Sequence, residues 1–134
     1  MRRCDEIEIG DELGDYEPDV SMECVRRFAR AGKMEFGRFT DHEAARKEGL
    51  PGAIVPGVMS QGILAAAVHR WAPGSHIERI DTIFRNPILV DSRVTCRATV
   101  TDVDAARRTV EIDLTIATED AETRVLGTAT VRFD

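Results

Sequence analysis

The chain has 134 residues, 43% of them hydrophobic and 31% charged, a balance that suits one domain around one core, residues 1–134, and excludes a disordered chain. Its net charge is −6, and Arg is scattered among Asp and Glu, which argues against a nucleic acid or an anionic membrane as partner. No apolar run approaches the ~18 residues of a membrane span, and the opening MRRCDEIEIG has no apolar leader core, so a reducing cytoplasm is the expected setting.

Residues 6–9 (EIEI) alternate like a short edge strand, which Gly10 and Gly14 interrupt. Ser21 is a good N-cap for a helix from Met22 to about Ala31, with Met22, Val25, Phe28 and Ala29 as its apolar stripe and Gly32 as its C-terminal glycine. Arg26, Arg27 and Arg30 then form a solvated face. Asp41 caps a second, short helix, HEAARKE, which Gly49 ends and on which Glu43 and Lys47 are an i,i+4 pair. The loop LPGAIVPG follows. The third helix, about Val58 to Trp71, is apolar or small on most faces, so it should be buried, with Gly62 and Ala65–Ala67 letting a sheet approach its axis. Pro73-Gly74 stops it.

Strands fill the rest. Residues 77–85 break strict alternation at Ile77, Ile80 and Ile83, the signature of a bulge or bend, and Pro87 marks a break. Residues 93–103, 110–116 and 124–133 alternate cleanly, with DVDAARRT and TEDAE as hairpin connections. Short loops imply an antiparallel meander of one-face-buried strands, and only the third helix is apolar enough to cover them. The expected fold is therefore α+β of the hotdog kind, a five- or six-stranded antiparallel sheet wrapped around one long helix. Such a sheet leaves edges to be closed by a second subunit.

The cysteines, Cys4, Cys24 and Cys96, are odd in number and form no CxxC pair, so a zinc knuckle or dithiol redox motif is excluded. Cys24 and Cys96 fall in apolar stripes and read as packing residues. Neither metal nor cofactor is expected.

Taken together, FTDHEAARKEGLPGAIVPGVMSQGIL, FRNPILVDSRVTCRATVTDVD and GTATVRF, with EIEIGDEL and VSMECVRRFARAG before them, resemble the MaoC-like dehydratases and (R)-specific enoyl-CoA hydratases. The resemblance implies the hotdog fold and lyase chemistry, the reversible hydration of a trans-2-enoyl thioester on coenzyme A or an acyl carrier protein. That reaction needs a carboxylate–imidazole pair to handle water, a helix N-terminus for the thioester oxygen, and a dry groove for the acyl chain. The family's Asp, Asn-Pro and His fall, by ungapped counting, on Met34, Phe36-Gly37 and Phe39. Its usual His before the helix glycine falls on Pro56, and its helix Ser on Gly62. The resemblance thus implies the scaffold without its acid/base set.

Glu35, Asp41 and His42 are the titratable candidates to replace that set. Asp41 is already explained as a cap, and neighbouring positions at a helix start diverge by roughly 100°. His69 reads as structural and His76 as solvated. The free N–H groups of Gly57, Val58 and Met59 after Pro56 are the candidate thioester site, with Met34, Phe36 and Phe39 as an apolar lining. Three readings remain open. The first is a degenerate subunit that shapes the substrate tunnel of an active hotdog partner. The second is an enzyme with changed chemistry on a thioester or polyketide-like substrate. The third is an acyl-binding hotdog without a reaction. A homodimer or a heterodimer with another hotdog subunit is expected.

Overall fold

The computed structural model describes residues 2–134. A 3-10 turn, Cys4–Glu6, stands where the alternation at residues 6–9 suggests a strand. Residues 8–11 instead close on themselves, with the Glu8 N–H donating to Asp11 Oδ2 at 2.9 Å and the Asp11 N–H to Glu8 O at 3.1 Å. The sheet contact comes a few residues later. The Gly10, Leu13 and Tyr16 N–H groups donate to the carbonyls of Val100, Ala98 and Cys96 at 2.8, 3.1 and 3.0 Å.

Helix α1 runs Met22–Ala31, as the sequence predicts, and Ser21 Oγ accepts the Cys24 N–H at 3.2 Å. The left-handed residue that ends it is Lys33 (φ 55), not Gly32, whose φ is −86. Helix α2, Gly37–Thr40, is a single turn that the sequence does not announce. Gly37 makes it possible, because a Cβ there would come within 2.8 Å of the Ala44 methyl. Helix α3, His42–Lys47, has Asp41 as its cap, as expected, and Gly49 follows at φ 91. The ion pair on it joins Arg46 to Glu43 at 3.2 Å rather than Glu43 to Lys47.

Helix α4, Gly57–Trp71, is the central element. It buries Met59, Ser60, Ile63, Leu64, Ala67, Val68 and Trp71. The opposite face is open in the single chain: Val58 and Gly62 are exposed, Ala65 and Ala66 half-exposed. Burial on most faces is thus corrected to burial on one. The close approach to the sheet also lies elsewhere. A Cβ on Gly62 would meet nothing within 4 Å, whereas one on Gly127 would stand 2.6 Å from Leu64 Cδ1. The sheet, not the helix, supplies the missing side chain.

Four strands follow: β1 His76–Phe84, β2 Val94–Asp104, β3 Thr109–Thr118 and β4 Thr123–Arg132. All pairs are antiparallel, in the order β1-β4-β3-β2. The meander expected of all strands holds for β2, β3 and β4. The connection from residue 85 to 93 carries the chain to the opposite edge of the sheet, and among the described residues the sheet has four strands rather than five or six. The irregularity read in residues 77–85 is a register shift between Ile77 and Arg79. The inward residues are those the alternation marks: Val94, Cys96, Ala98 and Val100 on β2, Val110, Ile112, Leu114 and Ile116 on β3, and Val125, Gly127, Ala129 and Val131 on β4. With the inner face of α4 they form one core, closed at one end by an edge-on contact of Trp71 and Phe133, 6.2 Å between ring centres. The sheet wraps the helix, and the fold is the hotdog.

Candidate functional site

The segment entering α4 is fixed from two sides. On one, the Val55 N–H donates to Ile88 O at 2.8 Å, the Val90 N–H donates to Ala53 O at 2.9 Å, and Ile54 bridges Leu89. The sequence blocks LPGAIVPG and FRNPILV therefore lie against each other and together frame the start of α4.

On the other side stands His42. Its Nδ1 accepts the Ala53 N–H at 3.0 Å, and its Nε2 lies 3.0 Å from Asp91 Oδ2. A backbone N–H only donates, so the neutral ring carries its proton on Nε2 and gives it to Asp91. Gly52 makes room for the ring, since a Cβ there would be 3.0 Å from Nδ1. Asp91 Oδ1 also accepts the Met22 N–H at 2.8 Å, at the first turn of α1. The His42 hydrogen bond first, and the Met22 N–H second, hold the Asp91 carboxyl below the usual carboxylate range. The couple stitches α1, α3 and the loop before α4 together, and both nitrogens of His42 are engaged. Asp91 escapes sequence reasoning, because only an Asp in the turn after FRNPILV marks it.

Asp41 Oδ1 accepts the Glu43 and Ala44 N–H groups at 2.8 and 3.1 Å, and the Ala44 bond leads in lowering its carboxyl. Glu35 is exposed, with no hydrogen-bond or ion-pair partner among the described residues. Met34 is half-buried, and its N–H closes the end of α1 on Ala29 O at 2.8 Å. Phe36 is 61% exposed, and its ring meets that of Phe39 edge-on at 6.3 Å.

A cleft of about 300 Å³ opens beside the first turn of α4. Ile54, Val55, Phe84, Ile88 and Val125 make apolar walls, and Arg85 and Asn86 stand at the polar end. Helix α4 contributes Gly57 and Ser60, the latter buried and without a hydrogen-bond partner for its hydroxyl among the described residues. Pro56 provides no side-chain cap, and the first intrahelical bond is the Ser60 N–H to Pro56 O at 3.1 Å. The N–H groups of Gly57, Val58 and Met59 thus have no partner among the described residues, at the positive end of a 15-residue helix. Gly57 also admits the Phe84 ring, whose nearest atom would stand 3.3 Å from a Cβ.

Of the residues read from the sequence as binding, only Gly57 lines this cleft. Pro56 is buried behind it, Val58 is exposed, and Met59 lines a groove toward α1. Met34, Phe36 and Phe39 do not line it, and neither do Glu35, Asp41 and His42. Ser60, Phe84, Arg85 and Asn86 were missed, although the FRNP block holding three of them is among those that carry the resemblance.

Residues 16–121, most of the chain, match the family model of the MaoC like domain. The chain belongs to the MaoC-like domain family. A comparison with the curated proteins gives no match. Solved structures share the fold. The (R)-hydratase from A. caviae involved in PHA biosynthesis is 20% identical, with a TM-score of 0.88 over 96% of this chain and 98% of that one. A chain of the ChsH1-ChsH2 complex from Mycobacterium tuberculosis is 18% identical, with a TM-score of 0.86 over 95% and 98%. A chain of the HadBC (3R-hydroxyacyl-ACP dehydratase) complex from Mycobacterium tuberculosis is 20% identical, with a TM-score of 0.74 over 92% and 96%. MaoC-like hotdogs thus include subunits of two-component complexes. No described helix of this member is long and apolar enough to cross a membrane.

Proposed function

We propose that this chain is a MaoC-like subunit that binds an acyl thioester in the cleft at the start of α4 and leaves the hydration chemistry to a hotdog partner carrying the acid/base pair. The observation that carries this reading is the pairing of an uncapped helix N-terminus with an apolar cleft. The three N–H groups suit a thioester oxygen, and the walls suit an acyl chain. What hydration would also need is a free base and acid within reach. At the positions that the family resemblance assigns to them stand Met34 and Phe39, which neither polarise water nor take a proton. His42 has both nitrogens committed. We read residues 1–134 as one domain and a reducing cytoplasm as its setting, which three free cysteines suit.

A partner is called for by the free edge of β1. Among the described residues this nine-residue strand pairs only with β4, and it exposes Ile83 and Phe84. Phe84 is also a wall of the cleft, so whatever covers the edge also encloses the ligand. A second β1 laid antiparallel about Ile80 would set Arg79 opposite Asp81 twice, which makes the edge self-complementary. The relatives in the ChsH1-ChsH2 and HadBC complexes support a heteromeric partner of the same fold.

The test is hydration of crotonyl-CoA. The isolated chain should hydrate it negligibly, since acid/base groups contribute on the order of 10²–10⁴-fold, and Met34→Asp with Phe39→His should restore measurable turnover. Strong turnover by the unmodified chain would overturn the reading. It would favour the alternative in which Glu35, the unpartnered carboxylate of the loop, acts as base; Glu35→Gln would then abolish the activity. Native mass spectrometry of the assembly from its own host would identify both partner and bound ligand.

A further inference from the structure

We propose that the groove between α1 and the first turn of α4 binds the phosphates of coenzyme A through Arg27 and Arg30, so that the thioester carrier is coenzyme A rather than an acyl carrier protein. The inference rests on the thioester reading above and names its carrier.

The groove is lined by Cys24, Arg27, Phe28, Arg30, Ala31 and Met59. Met59 belongs to the first turn of α4, whose Gly57 lines the cleft, so the groove and the cleft both adjoin one helix start. A thioester carbonyl held at that N-terminus can send its acyl chain into the cleft and its carrier arm along the groove. The floor of the groove, Phe28, Ala31 and Met59, is apolar enough for a pantetheine stem.

The cations are what make the groove specific. Most arginines of this chain are committed: nine contact carboxylates, and Arg2 and Arg70 lie over aromatic rings. Arg26, their neighbour on α1, donates to Thr40 O at 2.9 Å. Arg27 and Arg30 are exposed and, like Arg85 at the cleft and Arg108, have neither a hydrogen-bond nor an ion-pair partner for their side chains among the described residues, in a chain with six more acids than bases; they are the two that share one groove. Asp19 and Glu23, carboxylates beside this helix, make no ion pair with them among the described residues, and Asp19 accepts the Ser21 N–H at 2.9 Å. A planar guanidinium next to an apolar floor is suited to a phosphate on an organic stem. Coenzyme A carries such phosphates on a small arm that fits the groove. An acidic carrier protein would instead have to dock a whole surface on a chain of net charge −6.

Calorimetric titration of the full chain, in the assembly in which it purifies, tests this with crotonyl-CoA and with crotonyl-pantetheine, which keeps the acyl thioester and lacks every phosphate. Wild-type protein should bind crotonyl-CoA about tenfold or more tightly than crotonyl-pantetheine, with the advantage shrinking as salt is raised. Arg27→Ala with Arg30→Ala should erase that advantage and leave crotonyl-pantetheine binding unchanged. Arg108→Ala, which removes another cation without an ion pair far from the groove, should alter neither. Equal binding of the two thioesters to wild type, or a crotonyl-CoA advantage that survives the double substitution, would overturn the proposal while the thioester reading stands. Failure of both ligands to bind would sink the two together. Tighter binding of an acyl-loaded carrier protein than of crotonyl-CoA would overturn the choice of carrier.

Discussion

At the scale of single residues, His42 and Asp91 decide how the start of α4 is held. Each makes a bond to a distant backbone N–H as well as to the other. Replacing Asp91 by Asn keeps the shape but removes the charge that both its partners favour, so Asp91→Asn should lower the melting temperature. The acid limb of stability should change as well. Because the folded state depresses the Asp91 carboxyl, its contribution is present above the unfolded pKa and is lost as pH falls through the folded one. Thermal melts between pH 7 and 3 should therefore show wild type and Asp91→Asn converging as the solution is acidified. Cys96 shows the opposite sign. Burial alone pushes its thiol up to about 11 from 9.0, so the stability it contributes is intact below pH 9 and is lost as pH climbs toward 11. At pH 8, a thiol reagent should label Cys4 and Cys24 in the native protein and reach Cys96 only after unfolding, as peptide mapping would reveal.

Between elements, the tightest constraint is the contact of Leu64 on α4 with Gly127 on β4. A methyl at 127 overlaps the Leu64 terminus at 2.6 Å, and Leu64 is fully buried with its neighbours packed around it. Gly127→Ala should cost about 1–3 kcal/mol by overpacking, and Leu64→Ala about 2–5 kcal/mol through the cavity it leaves. In the double variant the added methyl fills part of that cavity. The two effects should then fall short of additive, by an amount a denaturation cycle can measure. Retained additivity would mean that the sheet relaxes away from the helix instead. Amide exchange should be slowest at residues 61–68 of α4 and near residues 96, 112 and 129 of the strands, where core burial is densest.

For the whole molecule, the open side of α4 and the free edge of β1 decide what the chain becomes in solution. Sedimentation should report a dimer at micromolar concentration. If β1 edges pair about Ile80, Asp81→Arg places like charges opposite each other and should shift the protein toward monomer. Adding Arg79→Asp should restore the dimer, since the double exchange recreates the complementarity with reversed signs. A dimer indifferent to both changes would place the interface elsewhere.

The sequence by itself determined the elements whose signals are local. Caps at Ser21 and Asp41, the stops at Gly49 and Pro73-Gly74, and the two-residue alternation of β2, β3 and β4 each depend on neighbours a few residues away, and each was legible. The family was legible too, from two blocks that the structure brings together across the Ile54–Leu89 bridge. Only the tertiary structure decided the rest. Residues 6–9 alternate, but the turn at residues 8–11 lets the following segment reach β2 instead. β1 sits at the far edge because its register with β4 satisfies its backbone, a choice between strands that no local pattern encodes. The glycine that lets helix and sheet meet is Gly127, identifiable only once Leu64 is seen above it. The partner of His42 lies 49 residues away, and the walls of the cleft come from three separate stretches of chain, residues 54–60, 84–88 and 125. Contacts of that range depend on the whole chain's packing, and a sequence names such residues without saying which of them meet.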